Sequence, residues 1–236
     1  MKIKKIKHKK YNLINYNLLN SRSYLGLHKL SLYYLNSKYI KGFRNKFCIF
    51  ETLQTKNFVK KSLSIIYKYH YLNKKILFVG FPNIKDNKYN ILFTQTNHYY
   101  IPHTHWVNNI ILNRHQIIRS LQRKLFSRNT LNIKLNNIKN LNEIFNIKQI
   151  PDLIVLYNQN KEIKAFREII KSKIPLITFL NSSDKSDQID YKVPGGFQNF
   201  KTEKFCYLLL KSILTLSKAV KSYKKKYEKK MLQTTL

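Results

Sequence analysis

Short apolar runs punctuate a chain otherwise rich in Asn and Lys: "KKILFVG", "DLIVLY" and "PLITFL", with "DYKVPGG" after them. Uninterrupted apolar runs of this length, closed by Gly, Pro or Asn, are the pattern of strands buried on both faces, as in a parallel sheet. A charged stretch over 161–172 separates the second and third runs and reads as a helix. Upstream, "TKNFVKKSLSIIYKYHYLN" places Phe58, Leu63, Ile66 and Tyr67 at helical spacing. "KYIKGFRNKFCIFETLQT" holds two extended runs flanking Gly42 to Asn45, the signature of a β-hairpin. "ILFTQTNHYYIPHTHW" contains a further helix and strand.

From Asn109 to Asn146 the pattern turns helical and basic, with Asn-rich turns near 136–140, which predicts a helical hairpin protruding from the sheet over about 110–148. The final helix, "FCYLLLKSILTLSKAVKSYKKKYEKK", places Leu208, Leu209, Ile213 and Leu216 on its apolar stripe. Strand and helix in alternation predict an α/β fold: a flavodoxin-like or Rossmann-like parallel sheet flanked by helices. One domain over 23–220 is expected, with basic arms at 1–22 and 221–236.

Charge changes the picture. The chain of 236 residues carries 45 Lys and Arg against 11 Asp and Glu, a formal net charge of +34. Such an excess repels itself unless a polyanion neutralises it, and nucleic acid is the common one. The bias to Lys favours phosphate contact over the reading of base edges. The scarcity of Ala, Gly and Pro also fits an AT-rich coding genome, and the two explanations are compatible. Lys4, Lys5, Lys9 and Lys10 in the first arm, and Arg114, Arg119, Arg123, Lys124 and Arg128 in the helical stretch, are the RNA-contacting candidates that charge alone nominates. The arm is read as RNA-contacting rather than as an import signal, since it lacks Arg and Ser enrichment. No apolar run reaches the roughly 18 residues that span a bilayer, and the last helix is read as packing on the core rather than lying on a membrane.

Candidate chemistry is sparse. The Gly after "KILFVG" is followed by "FPNIKDNKYN", with neither the second nor the third glycine of a dinucleotide loop, and no Lys-Ser/Thr follows the Gly pair of "DYKVPGG". His103 and His105 alternate as if sharing one face of a strand, but further zinc ligands at suitable spacing are missing. Asp184, Asp187 and Asp190 form an acidic cluster with no nucleophile or base to nominate beside it, and read as turn or capping aspartates. Cys48 and Cys206 belong to no CxxC pair, so a reducing compartment is the default. No enzyme activity, metal, cofactor or small-molecule substrate is expected.

In order along the chain, "LGLHK", "KYIKGFRNKFCIFETLQT", "KKILFVG", "HTHWVNNIILNRHQIIRSLQR", "PDLIVLYNQNKEIKAFREIIKSKIPLITFL" and "SDQIDYKVPGG" resemble small-subunit ribosomal protein two, over most of residues 24–220. The resemblance implies a structural role in the small ribosomal subunit, with ribosomal RNA and other small-subunit ribosomal proteins as partners and no membrane. It implies RNA contacts at His28, Lys29, Arg44, Asn45 and Lys46, with Arg44 and Asn45 at the family's hairpin tip. It implies further contacts at Trp106, Asn108 and Asn109, the two asparagines standing where the family usually has glycines. Its Asp-x-x-x-Pro-Gly strand matches Asp190, Pro194 and Gly195. There are departures: the Gly-His-x-Gly-His stretch survives only as "LGLHK", and the acidic residues after Pro-Gly have become Gly196, Phe197 and Gln198. This erosion, with lysine-rich arms, resembles mitochondrial members. A plastid ribosomal protein of the same family is the alternative, and a nucleotide-binding α/β enzyme acting on RNA a more distant one.

Overall fold

The computed structural model describes residues 14–81, 88–102, 105–127, 147, 149–160, 162–199 and 201–215. Five strands, β4 (Ile76–Phe81), β5 (Tyr99–Pro102), β6 (Leu153–Leu156), β7 (Leu176–Leu180) and β8 (Tyr191–Pro194), form one sheet in the order β5-β4-β6-β7-β8. All its pairings are parallel. The apolar runs become strands because both faces are covered: every residue of β4, β5, β6 and β7 is buried.

The period-two alternation of a strand sorts these residues into two cores. Ile76, Phe78, Val155, Ile177 and Val193 face one layer, with Val59, Leu63 and Ile66 of α2 (Thr52–Tyr71) and Phe93 of α3 (Lys88–Gln95). Leu77, Val79, Ile154, Leu156 and Leu180 face the other, with Ala165, Phe166 and Ile169 of α5 (Ile163–Ser172) and with Ile110. Ile111 and Ile117, the latter within α4 (Arg114–Ser127), pack against that second layer. The result is a three-layer α/β fold with the sheet in the middle.

A second sheet stands at one end. β1 (Leu25–His28), β3 (Phe47–Phe50) and β2 (Ile40–Arg44) pair antiparallel in the order β1-β3-β2. The expected hairpin is present, but its turn is Asn45–Lys46 and Gly42 lies within β2, opposite Ile49. Asn45 and Lys46 both take positive φ, 47° and 67°, the two-residue turn whose twist suits a tight antiparallel hairpin. Residues 14–20, within the stretch read as an arm, form helix α1 and bury Leu18 to 1% exposure.

Two expectations are corrected. In α6, residues 201–215, the stripe that reaches the core is Phe205, Cys206, Leu210 and Leu214, whereas Leu208 is 51% exposed and Leu209 packs only at the margin. The run "YLLLKSIL" offers apolar residues at several helical registers, and packing against α3 selects the one that lets Tyr207 meet Tyr89 edge-on at 5.2 Å. Strand β5 ends at Pro102, so His105 lies beyond it and shares no strand face with His103, which falls outside the described residues. The second arm of the helical hairpin, the first residues and the C-terminal tail also fall outside them, as do Lys4, Lys5, Lys9, Lys10 and Arg128, and Leu216 of the expected stripe.

Candidate nucleic-acid interface

The loop after β7 joins the small sheet to the large one. Asn36, 1% exposed, donates its side-chain amide to the carbonyls of Asn181, Ser182 and Asp184 at 3.2, 3.2 and 2.8 Å. The backbone N–H of Leu27 donates to Ser182 Oγ at 2.9 Å, and that of Tyr33 to the Ser182 carbonyl at 2.9 Å. Tyr33 Oη donates to Asp187 Oδ2 at 2.6 Å, which holds its phenol well above the usual range. Asp184 accepts the Asn181 N–H at 2.7 Å, and burial pushes its carboxyl up to about 6. Asp190 accepts the Leu176 N–H at 2.9 Å. The three aspartates thus hold turns and strand ends together.

The approach of the two sheets depends on Gly196, just past β8. A Cβ there would stand 1.7 Å from the Leu25 carbonyl oxygen, and the Gly196 N–H donates to the Ser23 carbonyl at 2.6 Å. Above this junction opens a groove of about 540 Å³ at the carboxyl ends of β7 and β8, lined among others by Arg22, Arg44, Asn45, Phe47, Gln198 and Asn199. In open α/β sheets the crevice beyond the strand carboxyl ends is the usual place for a ligand. At the carboxyl ends of β4 and β6, where chain order reverses, the space is filled: Phe81 lies 5.0 Å from Tyr157 and 6.3 Å from Phe179, ring centre to ring centre, and the Glu162 side chain covers Gly80.

The hairpin gathers the first group of expected RNA contacts. His28, Lys29, Arg44, Asn45 and Lys46 all belong to the small sheet and its turns, and all but the half-buried His28 are exposed. His28 Nδ1 accepts the Leu30 N–H at 3.3 Å and its ring meets Phe47 edge-on at 6.0 Å. Lys29 Nζ lies 4.9 Å over the Phe43 ring. Phe43 and Phe47 are each 48% exposed. The hairpin is therefore cationic and aromatic at once, the pairing of side chains that suits nucleic acid.

The second group sits elsewhere, on the face covered by α5. Glu168 of α5, 6% exposed, gathers the segment before α4: its Oε2 accepts the Trp106 indole N–H at 3.2 Å and the Asn109 N–H at 2.7 Å, and its Oε1 accepts the N–H groups of Ile111 and Leu112 at 2.7 and 3.3 Å. Trp106 is thus committed internally by its polar edge, with its ring half-buried against the second core. Asn108 and Asn109 are exposed, and Asn109 takes φ 62°, a left-handed conformation that Asn adopts more readily than most non-glycine residues. This explains how Asn can stand where the resembled family has glycine. Arg119 and Arg123 are exposed on α4, with Arg114 half-buried at its start and its guanidinium 3.2 Å from His115 Nε2. Lys124 lies within α4.

The hairpin set lies on the small sheet and its turns, and the helix set lies on the segment from Trp106 through α4. Sequence reading missed Arg22, Tyr24, Gln198 and Asn199 of the groove, and Asn36 and Glu168 of the scaffold. Each joins segments distant along the chain, and an isolated polar residue carries no local pattern to betray that. Among the described residues no group of three or more His, Cys, Asp or Glu could hold a metal ion, and no helix is long and apolar enough to cross a membrane. Cys48 and Cys206 are free and buried, and burial pushes both thiols up.

Known proteins share this sequence pattern. The family model described as Ribosomal protein S2 matches residues 18–219. The chain is similar to Small ribosomal subunit protein uS2 of Wolbachia sp. subsp. Drosophila simulans (strain wRi), 27% identical over 212 residues that span 79% of this chain and 73% of that protein. It is similar to the uS2 protein of Brucella anthropi, 27% identical over 174 residues, 67% of this chain and 68% of the relative. It also resembles Small ribosomal subunit protein uS2c of Guillardia theta, 28% identical over 178 residues, 67% of this chain and 74% of the relative.

Proposed function

The chain belongs to the ribosomal protein S2 family, and from that premise we propose that it is a structural constituent of the small subunit of a mitochondrial ribosome, bound to ribosomal RNA and to neighbouring small-subunit proteins. It is not an enzyme. The observation that carries the reading is a family match over 18–219 on a chain of net charge +34, since the α/β scaffold holds the basic surfaces in place and needs no cofactor to do so. The hairpin residues His28, Lys29, Arg44, Asn45 and Lys46 form one RNA-contacting surface. Arg114, Arg119, Arg123 and the exposed Asn108 and Asn109 form the other, with Trp106 positioning that segment through Glu168. The domain takes in helix α1, which buries Leu18, and runs to 220, and the lysine-rich stretches at 1–10 and 221–236 reach beyond it to phosphates.

The mitochondrial assignment rests on the eroded family motifs and the lysine-rich ends. A plastid ribosome is the second reading, favoured by the similarity to the uS2c protein of Guillardia theta. The test is sedimentation of cell lysates fractionated by organelle. The chain is expected to travel with the mitochondrial small subunit in a gradient; travel with the plastid subunit supports the second reading, and absence from both overturns the ribosomal role.

A further inference from the structure

The groove between the two sheets has a composition that the scaffold does not need. Two arginines, Arg22 and Arg44, two aromatics, Tyr24 and Phe47, and two amide residues, Gln198 and Asn199, are among its lining residues. No Asp or Glu is among its lining residues. Its volume of about 540 Å³ falls in the range of small-ligand sites, roughly 300–1,000 Å³. Phe47 remains 48% exposed although it stands on a strand whose neighbours Cys48 and Phe50 are buried at 0% and 1%. Its ring therefore faces outward, with His28 against its edge.

We propose that this groove binds one unstacked nucleotide of RNA, its base against the rings of Phe47 or Tyr24 and its phosphate between Arg22 and Arg44. Arginine forks suit phosphate oxygens, and aromatic rings accept any base that has left its stack. Side-chain amides, each with donor and acceptor, suit a base edge. A duplex is a poor occupant, because its bases are already stacked and paired, so a concave site lined by rings takes a base only from a loop, bulge or end. A free nucleoside triphosphate is also a poor fit. It carries a divalent cation that carboxylates help to hold, and the groove lining contains none. The exposed Lys29 and Lys46 at the hairpin continue the positive surface past the groove, where the flanking phosphates of a strand would run. The inference deepens the ribosomal RNA reading and rests on it for the identity of the strand in the cell.

The test uses the full chain and a five-nucleotide single-stranded RNA of mixed sequence, followed by fluorescence anisotropy. A blunt RNA duplex and ATP with magnesium are the comparison probes. The native chain is expected to bind the single strand, and ATP to compete weakly. Phe47→Ala is expected to weaken single-strand binding about tenfold while duplex binding changes little, and Arg22→Gln with Arg44→Gln to weaken single-strand binding by at least as much. Unchanged Trp106 emission and unfolding midpoint show that the variants remain folded. Ultraviolet crosslinking of the RNA is expected to mark Tyr24 or Phe47. Equal binding by the variants and the native chain, or crosslinks confined to other segments, overturns the proposal, as does ATP competing as strongly as the RNA. Sedimentation with the small subunit is scored separately. A chain that sediments but shows no Phe47 dependence sinks only the groove, whereas Phe47-dependent binding without sedimentation sinks the ribosomal reading and leaves the groove standing.

Discussion

The indole N–H of Trp106 donates to Glu168 Oε2 at 3.2 Å, across 62 positions of sequence. The same carboxylate accepts three backbone N–H groups from residues 109 to 112. These backbone N–H groups of the short loop are thereby satisfied by a single side chain from the neighbouring helix. The arrangement fixes where α4 begins, and hence where its basic face points.

Glu168→Ala leaves partly buried amides without an acceptor, and each fully buried one of this kind costs about 1–3 kcal/mol. The expected loss is about 3 kcal/mol or more. Glu168→Gln keeps one oxygen but turns an NH2 toward the remaining donors, so a loss of about 2 kcal/mol is expected. Trp106→Phe removes one bond and is expected to cost about 1 kcal/mol. Chemical denaturation followed by circular dichroism gives all three, and Glu168→Gln as stable as the native chain would show that the carboxylate is not what holds the loop.

How much of this could be read from the sequence divides along physical lines. The parallel strands were legible because burial on both faces leaves uninterrupted apolar runs such as Leu153 to Leu156. The hairpin was legible from its turn, although its tip falls at Asn45–Lys46. The register of α6 was not, because Leu208, Leu209 and Leu210 offer three consecutive choices and only packing decides that Leu210 goes in. The basic surfaces were visible as charge, but the side chains that position them, Asn36 and Glu168, were not. Nor was the groove, since its walls come from segments on either side of Ser182, which binds β1 across 155 positions.

Asp184 predicts a pH dependence with a definite sign. Its carboxyl is raised by burial from 3.8 to about 6, so ionising it costs more in the folded than in the unfolded chain. The folded state holds its proton more tightly. This contribution to stability is therefore complete below about pH 4 and is lost as pH rises through about 6. Two pKa units correspond to about 3 kcal/mol. Asp184→Asn keeps an oxygen for the Asn181 N–H and cannot ionise. The variant is expected to match the native chain near pH 4 and to exceed it by up to about 3 kcal/mol at pH 7. A constant difference across that range, in denaturation series run at each pH, would refute the assignment.

Gly196→Ala tests the junction of the two sheets. The added Cβ would stand 1.7 Å from the Leu25 carbonyl oxygen, and backbone on both sides leaves little to yield. Overpacking of this kind costs about 2–3 kcal/mol, and the small sheet should shift relative to the large one. By contrast Gly42→Ala meets nothing within 4 Å and should change stability by less than about 0.5 kcal/mol. The paired unfolding midpoints measure the difference, and equal values would mean that the junction is loose.

The basic face of α4 gives the prediction that bears most directly on assembly. Arg119 and Arg123 are exposed and stand four residues apart, so they share one side of the helix. Ile110 is 1% exposed, and Ile111 and Ile117 pack against the second core, so the helix is anchored without help from the arginines. Reversing both, Arg119→Glu with Arg123→Glu, should therefore leave the unfolding free energy within about 0.5 kcal/mol of the native value. Binding to structured RNA should weaken, and it should do so in a salt-dependent way. A phosphate that no arginine neutralises keeps its counterions, so the fall in affinity between about 50 and 200 mM salt should become shallower by nearly one unit of log–log slope per arginine. Incorporation into the small subunit, measured by gradient sedimentation of a tagged chain, should fall in parallel. If both slope and incorporation stayed at native values, α4 would face solvent in the assembled particle, and the hairpin and the lysine-rich ends would have to carry the RNA contacts alone.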